Sequence, residues 1–311
     1  MPTSRRCCFP RRIVGWVEEL VDSASLSTDP AGLGRRLARD GYLFFRGLLP
    51  AGPVAEAGAA VLAALRTGGW VDPCHASSAG RQTPRARDVR ADPAYREAVT
   101  SLAFQRLPYL PELRAVVRGV LGAAAFSYPV KVLRAVYPDT PPSIARGRYV
   151  HQDFAVNAVP DMLTAWIPLI EVPVRLGGLA VEPGSHLGPP VLPRPVELDR
   201  PGWATADFRI GDVVVFHCLT AHAALPNHGG RVRLSQDCRW QSTDQLAPAE
   251  LILRPGGRPV ELYSRLLRRE PWWEPVPAGL VLASRDQRSV FAPRSRFFSV
   301  HPGWSRRRPH P

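Results

Sequence analysis

Apolar residues change their spacing about 125 residues into the chain. Before that point they recur every three or four residues, which is the period of a helix with one buried face. The predicted helices cover residues 29–40, 51–66 and 94–121. Asp29 and Pro30 suit the N-cap and the first turn of the first helix. The last segment should divide into two helices near Pro108 and Pro111.

Two other segments interrupt this helical part. The run GYLFFRGLLP (41–50) is short and apolar, is closed by Pro50, and predicts a strand. Residues 71–93 are polar, basic and proline-containing, and predict a long loop.

Beyond residue 125, short apolar runs follow one another and are separated by turn residues. Such a series is typical of an all-β sandwich or barrel. The runs cover residues 126–137, 149–154, 162–170, 178–182, 212–218 and 231–240. After residue 248 the chain is rich in proline and arginine. We therefore expect an N-terminal tail (1–28), a domain over 29–247 with its barrel at about 125–245, and a C-terminal extension (248–311) packed on the barrel and ending in a basic tail.

The net charge of +13 is concentrated at the two ends of the chain. Residues 1–12 carry +4 and residues 285–311 carry +6, which leaves +3 for everything between them. A nucleic-acid-reading module needs its basic residues along one face of the fold. We therefore expect a small-molecule substrate and no nucleic-acid partner, and the sequence predicts no oligomeric state.

The cysteines and the apolar runs bear on location. The five cysteines include no CxxC pair, so they predict neither a zinc ribbon nor a thioredoxin-type site. Reduced thiols in the cytoplasm are the simplest interpretation. The N-terminus lacks the apolar core of a secretory signal. The longest apolar candidate, residues 51–65, contains Glu56 and is too short to span a membrane, so a cytoplasmic protein with no membrane partner is expected.

One constellation of residues carries chemistry. The run YVHQDFAVN places His151 and Asp153 two residues apart, and on a strand both side chains would point to one side. Alone, this pair could equally be a surface pair or a salt-bridged histidine. Downstream, GDVVVFHCLTAHAALPN supplies His222, and arginines follow at 231 and 233. Two histidines and one carboxylate on one face, with open positions opposite, form the non-haem iron(II) oxygenase site.

Several sequence blocks together resemble the phytanoyl-CoA dioxygenase family of 2-oxoglutarate oxygenases. The matching blocks are RDGYLFFRGLLP (39–50), HQD (151–153), LTAWIPL (163–169), GGLAVEPGSH (177–186), GDVVVFHCLTAHAALPN (211–227) and RVRLS (231–235). The resemblance implies a mainly β fold, a double-stranded β-helix of the jelly-roll or cupin-like kind, with N-terminal and flanking α-helices. It also implies iron(II) as cofactor, with 2-oxoglutarate and O2 as co-substrates.

The resemblance assigns roles to individual residues. His151, Asp153 and His222 would bind iron, and His186 and His217 are weaker rival ligands. Arg233, with Arg231 as the alternative, would pair with the distal carboxylate of 2-oxoglutarate.

Four further residues precede or follow the metal motif. Trp166 would line the cavity, with plain core packing as an equal alternative. Lys131 and Arg134 could contact the co-substrate or substrate, although solvent-facing positions are the simpler expectation. Ala224 lacks the hydroxyl that some family members offer to the co-substrate.

The predicted reaction is the hydroxylation, or another oxidation, of a C–H bond in a small organic molecule. Asp153 occupies the ligand position that related halogenating enzymes leave to a small residue, which favours oxygenation. The abundance of arginine, alanine and proline indicates a GC-rich bacterial genome, and secondary-metabolite biosynthesis is the expected setting. The alternative from another class is a catalytically silent β-helix protein that binds a small ligand or a partner.

Overall fold

The structure is a computed structural model that describes residues 17–71, 92–138, 149–199, 201–254, 258–259, 267–284 and 295–302. Its helices are α1 (Pro30–Asp40), α2 (Ala51–Thr67), α3 (Pro93–Thr100), α4 (Leu102–Arg106), α5 (Pro111–Leu121), α6 (Phe154–Asn157) and α7 (Ala249–Ile252). Its strands are β1 (Val17–Glu19), β2 (Tyr42–Phe45), β3 (Ala125–Ser127), β4 (Val132–Val136), β5 (Tyr149–Val150), β6 (Leu163–Pro168), β7 (Leu179–Val181), β8 (Arg194–Pro195), β9 (Trp203–Thr205), β10 (Val213–His217), β11 (His222–Ala224), β12 (Arg233–Ser242), β13 (Ala247–Pro248), β14 (Leu253–Arg254), β15 (Arg258–Pro259) and β16 (Leu282–Ala283). Most of the predicted loop at 71–93 lies outside the described residues.

The first helices begin and end where the sequence predicts. The Asp29 side chain accepts a hydrogen bond from the Gly32 amide at 2.9 Å, and Pro30 occupies the first turn of α1. Gly41 ends the helix with a φ of 80°, a conformation that favours glycine. The prediction of two helices over 94–121 is wrong, because an additional break falls at Ser101. This residue is extended, and its hydroxyl caps α4 by accepting from the Phe104 amide.

The strands form two main sheets. The first has the order β2-β10-β6-β12-β3, with β4 also paired to β12, and the second has the order β1-β9-β7-β11. The predicted strand at 126–137 is two strands, since Pro129 lies between β3 and β4 and has no amide to donate. The mainly β prediction with added helices is confirmed, but the described strands close no barrel.

The predicted N-terminal tail (1–28) contains ordered structure and needs correction. Strand β1 pairs in parallel with β9, and Val17 and Leu20 are buried. A strand of three residues is too short to show an alternating pattern, so this strand could not be predicted from its residues.

Alternate residues of the first sheet pack in opposite directions. Val213 and Val215 of β10 join the core beneath the helices, whereas Val214 and Phe216 face the second sheet. On that inner side Leu179 of β7 packs with them. The space between the two sheets is therefore where a cavity can open.

Part of the C-terminal extension contacts the domain. The Arg296 guanidinium lies 3.3 Å from Asp161 and 2.9 Å from Asp244. The Phe298 ring packs against His186 and His217, with centroid distances of 4.6 and 4.8 Å. Among the described helices, none has both the length and the apolar character that a membrane crossing demands.

Candidate active site

His151 and His222 are brought together by backbone pairing. His151 follows β5 and His222 begins β11, and the amide of each donates to the carbonyl of the other at 3.1 and 3.0 Å. Their rings lie 4.2 Å apart, centroid to centroid. This single bridge closes the separation of 71 residues that the sequence leaves between the two histidines.

Asp153 reaches the same point by a different route from the predicted one. Its backbone is helical, with φ −58° and ψ −27°, and it precedes the short helix α6. The expectation that strand alternation aligns His151 with Asp153 is therefore wrong, because a turn makes the alignment instead. The candidate ligand atoms of Asp153 and the two histidines all lie within 4.8 Å of one another.

Hydrogen bonds fix the tautomer of both histidines. Nδ1 of His151 lies 2.8 Å from the Tyr149 carbonyl oxygen, and Nδ1 of His222 lies 3.0 Å from that of Thr220. A carbonyl oxygen can only accept, so Nδ1 carries the proton and Nε2 keeps its lone pair. Nε2 of His222 is 4.0 Å from Asp153 Oδ1. This arrangement is the usual one for histidines that bind a metal ion.

The electrostatics of the site also suit the binding of a metal ion. Burial by itself would raise the pKa of Asp153, but the charge of Arg239, the two histidines and the Thr164 hydroxyl hold that pKa well below its usual range. Thr164 Oγ1 donates to Asp153 Oδ2 at 2.6 Å. Burial, assisted by His151, lowers the pKa of His222 to about 4. At neutral pH the residues thus present an ionised carboxylate and a neutral imidazole, the forms that bind metal ions.

These residues open onto a cavity between the two sheets. Its wall consists of Arg134, His151, Asp153, Thr164, Trp166, Leu179, Phe216, His222, Ala224, Arg233, Asp237 and Arg239. Trp166 and Arg134 thus lie in this wall. The triad fits a divalent metal ion, since it offers two nitrogens and a carboxylate on one side and open space on the other.

The two candidate arginines differ in position. Arg233 is 1% exposed and lies in the cavity wall, where its Nε donates to the Gly177 carbonyl at 3.1 Å and its Nη1 donates to the Ser235 hydroxyl. Arg231 is not in the wall, and its Nη2 donates to the Glu171 carbonyl at 2.8 Å. The geometry therefore favours Arg233 for a ligand inside the cavity.

Lys131 does not join the other site candidates. It precedes β4, and its ammonium donates to the Tyr128 carbonyl and lies 3.3 Å from the Tyr109 hydroxyl. Burial lowers the pKa of Lys131 to about 7. Because the chain turns this side chain away from the cavity wall, the structure does not support a contact with the co-substrate.

The rival histidines are also elsewhere. Nε2 of His186 lies 3.0 Å from the Ala38 carbonyl, and Nε2 of His217 lies 3.3 Å from Asp161 Oδ1. Neither belongs to the group of residues whose ligand atoms converge. Both hold loops and the C-terminal segment in place.

Sequence reasoning missed three polar residues of the cavity, namely Thr164, Asp237 and Arg239. A signal for two of them was present along β12. Arg233, Ser235, Asp237 and Arg239 occupy alternate positions and so share one face of the strand. A polar face on a strand that is buried almost throughout indicates a lined cavity rather than a solvent surface.

A family model described as phytanoyl-CoA dioxygenase (PhyH) matches residues 37–235, well over half of the chain. A 1-deoxypentalenic acid 11-beta-hydroxylase from Streptomyces exfoliatus is 28% identical over 248 residues, which is 72% of this chain and 86% of that protein.

Solved structures show the same architecture. EctD from S. alaskensis with 2-oxoglutarate and 5-hydroxyectoine superposes with a TM-score of 0.53 at 20% identity, over 90% of this chain and 97% of that one. The apo non-heme monooxygenase ThoJ gives a TM-score of 0.53 at 18% identity, over 69% and 79% of the two chains. These likenesses confirm the predicted class, a double-stranded β-helix with flanking helices. Together with the extent of the sequence match, they show that this chain belongs to the phytanoyl-CoA dioxygenase family.

Proposed function

We propose that this protein is an iron(II)- and 2-oxoglutarate-dependent dioxygenase that hydroxylates a C–H bond of a small organic molecule. The observation that carries the proposal is the convergence of His151, Asp153 and His222 on one point of a cavity whose wall also contains Arg233. A catalytically silent relative would have no need to keep a complete donor set, with both histidines held in the metal-binding tautomer.

The proposed roles follow from the contacts. His151 and His222 would bind iron through Nε2, and Asp153 would bind it through Oδ1 while Oδ2 stays hydrogen-bonded to Thr164. When bound, iron(II) with 2-oxoglutarate supplies an O2-dependent oxidation of a C–H bond and releases succinate and CO2.

The chain itself contributes orientation and a dry cavity. The Arg233 guanidinium is planar and pairs with a carboxylate through two parallel hydrogen bonds. Its contacts with Gly177 and Ser235 fix its direction. Trp166 and Phe216 cover the inner wall and limit access of water to the reacting atoms.

The biological setting is part of the proposal. The curated Streptomyces relative acts on 1-deoxypentalenic acid, and a similar structure, SnoN, is an epimerase crystallised with Fe3+, alpha-ketoglutarate and nogalamycin RO, with a TM-score of 0.50 at 24% identity over 75% of this chain and 96% of that one. These two proteins support a role in secondary metabolism, and the hydroxylase relative favours hydroxylation over epimerisation. The buried cysteines 218 and 238 are free thiols, which supports a location in the cytoplasm.

The test has two stages. Binding of 2-oxoglutarate is first measured by calorimetry with and without Ni(II), a redox-inactive stand-in for iron, and tight binding is expected only with the metal. Small-molecule extracts are then incubated with the protein, Fe(II) and 2-oxoglutarate under oxygen-18 gas, and mass spectrometry should find a product that has gained one labelled oxygen. Binding of 2-oxoglutarate that is independent of metal would overturn the proposal.

A further inference from the structure

The cavity contains a second cationic end, which is distinct from the one at Arg233. Arg239 lies six residues further along β12 on the same inward face, roughly 20 Å away along a strand. It stands beside the metal ligands, with Nε at 3.4 Å from Asp153 Oδ2 and Nη2 at 3.5 Å from Oδ1. An anion bound there would not occupy the position of the 2-oxoglutarate carboxylate that Arg233 pairs with.

The donors of Arg239 are only partly used. A guanidinium has five N–H groups, and the two contacts with Asp153 are long for charge-assisted hydrogen bonds. Nε is buried and has no hydrogen-bond partner among the described residues. Asp153 is the acceptor beside this group, and no other acceptor among the described residues is hydrogen-bonded to the guanidinium.

Charge balance points in the same direction. The charges of iron(II), dianionic 2-oxoglutarate, Asp153 and Arg233 cancel. Among the described wall residues, the other charged side chains are Arg134, Asp237 and Arg239. Arg134 and Asp237 form an ion pair with a 2.7 Å contact, so one positive charge is left over. A buried net charge is costly unless it is paired, and a singly negative substrate would pair it.

The apolar residues of the cavity wall indicate the character of the rest of that substrate. Leu179 and Ala224 come from the second sheet and Phe216 comes from β10 of the first, and all three are apolar. The same cavity must also admit 2-oxoglutarate.

We propose that Arg239 binds the carboxylate of an otherwise apolar substrate that carries a single negative charge. This inference rests on the proposed function, because the charge balance includes the metal ion and the co-substrate. Such a carboxylate would lie beside the metal ligands and would hold the attached carbon skeleton inside the cavity.

The test uses the full chain loaded with Ni(II) and saturating 2-oxoglutarate, and its first readout is the metal-dependent binding of 2-oxoglutarate itself. Adamantane-1-carboxylate and cyclohexanecarboxylate are then titrated calorimetrically, each against its primary amide. We expect at least one acid to bind about tenfold more tightly than its amide, as charge-assisted hydrogen bonds imply.

Four variants locate the effect. Arg239→Gln should abolish the preference for the acid, and Arg239→Lys should retain part of it. Asp237→Asn should increase the preference, because it adds to the uncompensated positive charge. Arg175→Gln removes an exposed arginine outside the cavity wall and should change nothing. Nickel content is measured for each variant, since Arg239 also contacts Asp153.

The outcomes separate the two proposals. If 2-oxoglutarate binds with the metal but no acid is preferred over its amide, the Arg239 inference is wrong and the oxygenase proposal stands. The inference is equally overturned if the preference survives in Arg239→Gln, or if the acids compete with 2-oxoglutarate. If 2-oxoglutarate does not bind in a metal-dependent way, both proposals fail together.

Discussion

At the scale of single residues, each candidate metal ligand is oriented by a hydrogen bond to a defined partner. The carbonyls of Tyr149 and Thr220 orient the two imidazoles, and the Thr164 hydroxyl orients the Asp153 carboxylate. Such outer contacts raise metal affinity because the ligands need little further ordering when the ion binds.

The first prediction concerns the metal. His151→Ala, Asp153→Ala and His222→Ala should each weaken Ni(II) or Fe(II) binding by at least about 10–100-fold while the fold survives. Metal content after dialysis and circular dichroism check the two parts. The exposed His228→Ala is the matched control and should keep full metal content. Stoichiometric metal in His222→Ala would show that another residue is the ligand.

The second prediction separates the two arginines. Removing the cation from a buried carboxylate pair costs about 2–5 kcal/mol, so Arg233→Ala should raise the Michaelis constant for 2-oxoglutarate roughly 30-fold or more. Arg231→Ala should have a mild effect, because its side chain is outside the cavity wall. Succinate formation against 2-oxoglutarate concentration measures both, with iron content assayed separately. A large shift in Arg231→Ala alone would contradict the assignment.

The third prediction is a pH dependence of stability at Lys131. Burial lowers the pKa of Lys131 from 10.5 to about 7, so the folded state binds fewer protons than the unfolded state between these values. The cost of burying the amine is complete below pH 7 and disappears as the pH rises towards 10.5. Lys131→Met should therefore be more stable than the wild type at pH 7, and this advantage should shrink by about 1.4 kcal/mol per pH unit.

Urea unfolding of both proteins at pH 7, 8 and 9 measures this slope. Equal stability differences at all three values would mean that the amine is not desolvated. The Michaelis constant for 2-oxoglutarate should be unchanged in Lys131→Met, because Lys131 is not part of the cavity wall.

At the scale of elements, the turn before β7 orients Arg233 in the cavity wall. Gly177 has a φ of 80°, and its carbonyl accepts from Arg233. A Cβ at this position would lie 2.5 Å from the Leu225 carbonyl oxygen. This position therefore favours glycine for two reasons. Its backbone has a positive φ, and a Cβ there would clash with the segment after β11.

The fourth prediction follows from this turn. Gly177→Ala should destabilise the protein and also raise the Michaelis constant for 2-oxoglutarate, because the Leu225 clash displaces the carbonyl that orients Arg233. Gly184→Ala is the control, since Gly184 has a φ of 77° but nothing within 4 Å of its added Cβ. It should cost only the conformational term of about 1 kcal/mol and leave 2-oxoglutarate binding intact. Similar effects of both substitutions on binding would argue against a role for the turn.

The helices and strands also show how much of the fold can be predicted from the sequence. Apolar periodicity and caps located α1, α2 and most strands of the first sheet, because each is long enough to show its period. Among the strands of three residues, β1, β9 and β11 were missed, and β3 was predicted as one strand with β4. For the metal site the residue types were sufficient, whereas the turn at Asp153 was not predictable, because its conformation depends on tertiary contacts such as the Cys218 carbonyl that accepts from the Phe154 amide.

At the scale of the whole molecule, a distant part of the chain completes the domain. The segment 295–302 places Arg296 between Asp161 and Asp244 and packs Phe298 against two histidines. Asp161 is 3% exposed, and its carboxylate is hydrogen-bonded to His217, Ser295 and Arg296. Without the segment, His217 would be the remaining one of these three partners of a nearly buried carboxylate.

The fifth prediction compares two truncations. Removing residues 295–311 should lower the melting temperature by about 5 °C or more, as expected for the loss of a few kcal/mol from a domain of this size. Removing only residues 305–311 together with the basic residues 1–12 should leave both the melting temperature and small-molecule turnover nearly unchanged. Differential scanning calorimetry distinguishes the two. Equal melting temperatures for all three proteins would show that the segment adds nothing to stability.

The backbone bridge between His151 and His222 also has a consequence for how the protein acquires its metal. Two amide–carbonyl hydrogen bonds join the two residues, so the backbone sets the spacing of the imidazoles independently of metal–ligand bonds. A chelator should therefore remove iron without separating the histidines, and returned iron should bind without refolding. One polypeptide would then survive many cycles of iron loss and resupply during its lifetime in the cell.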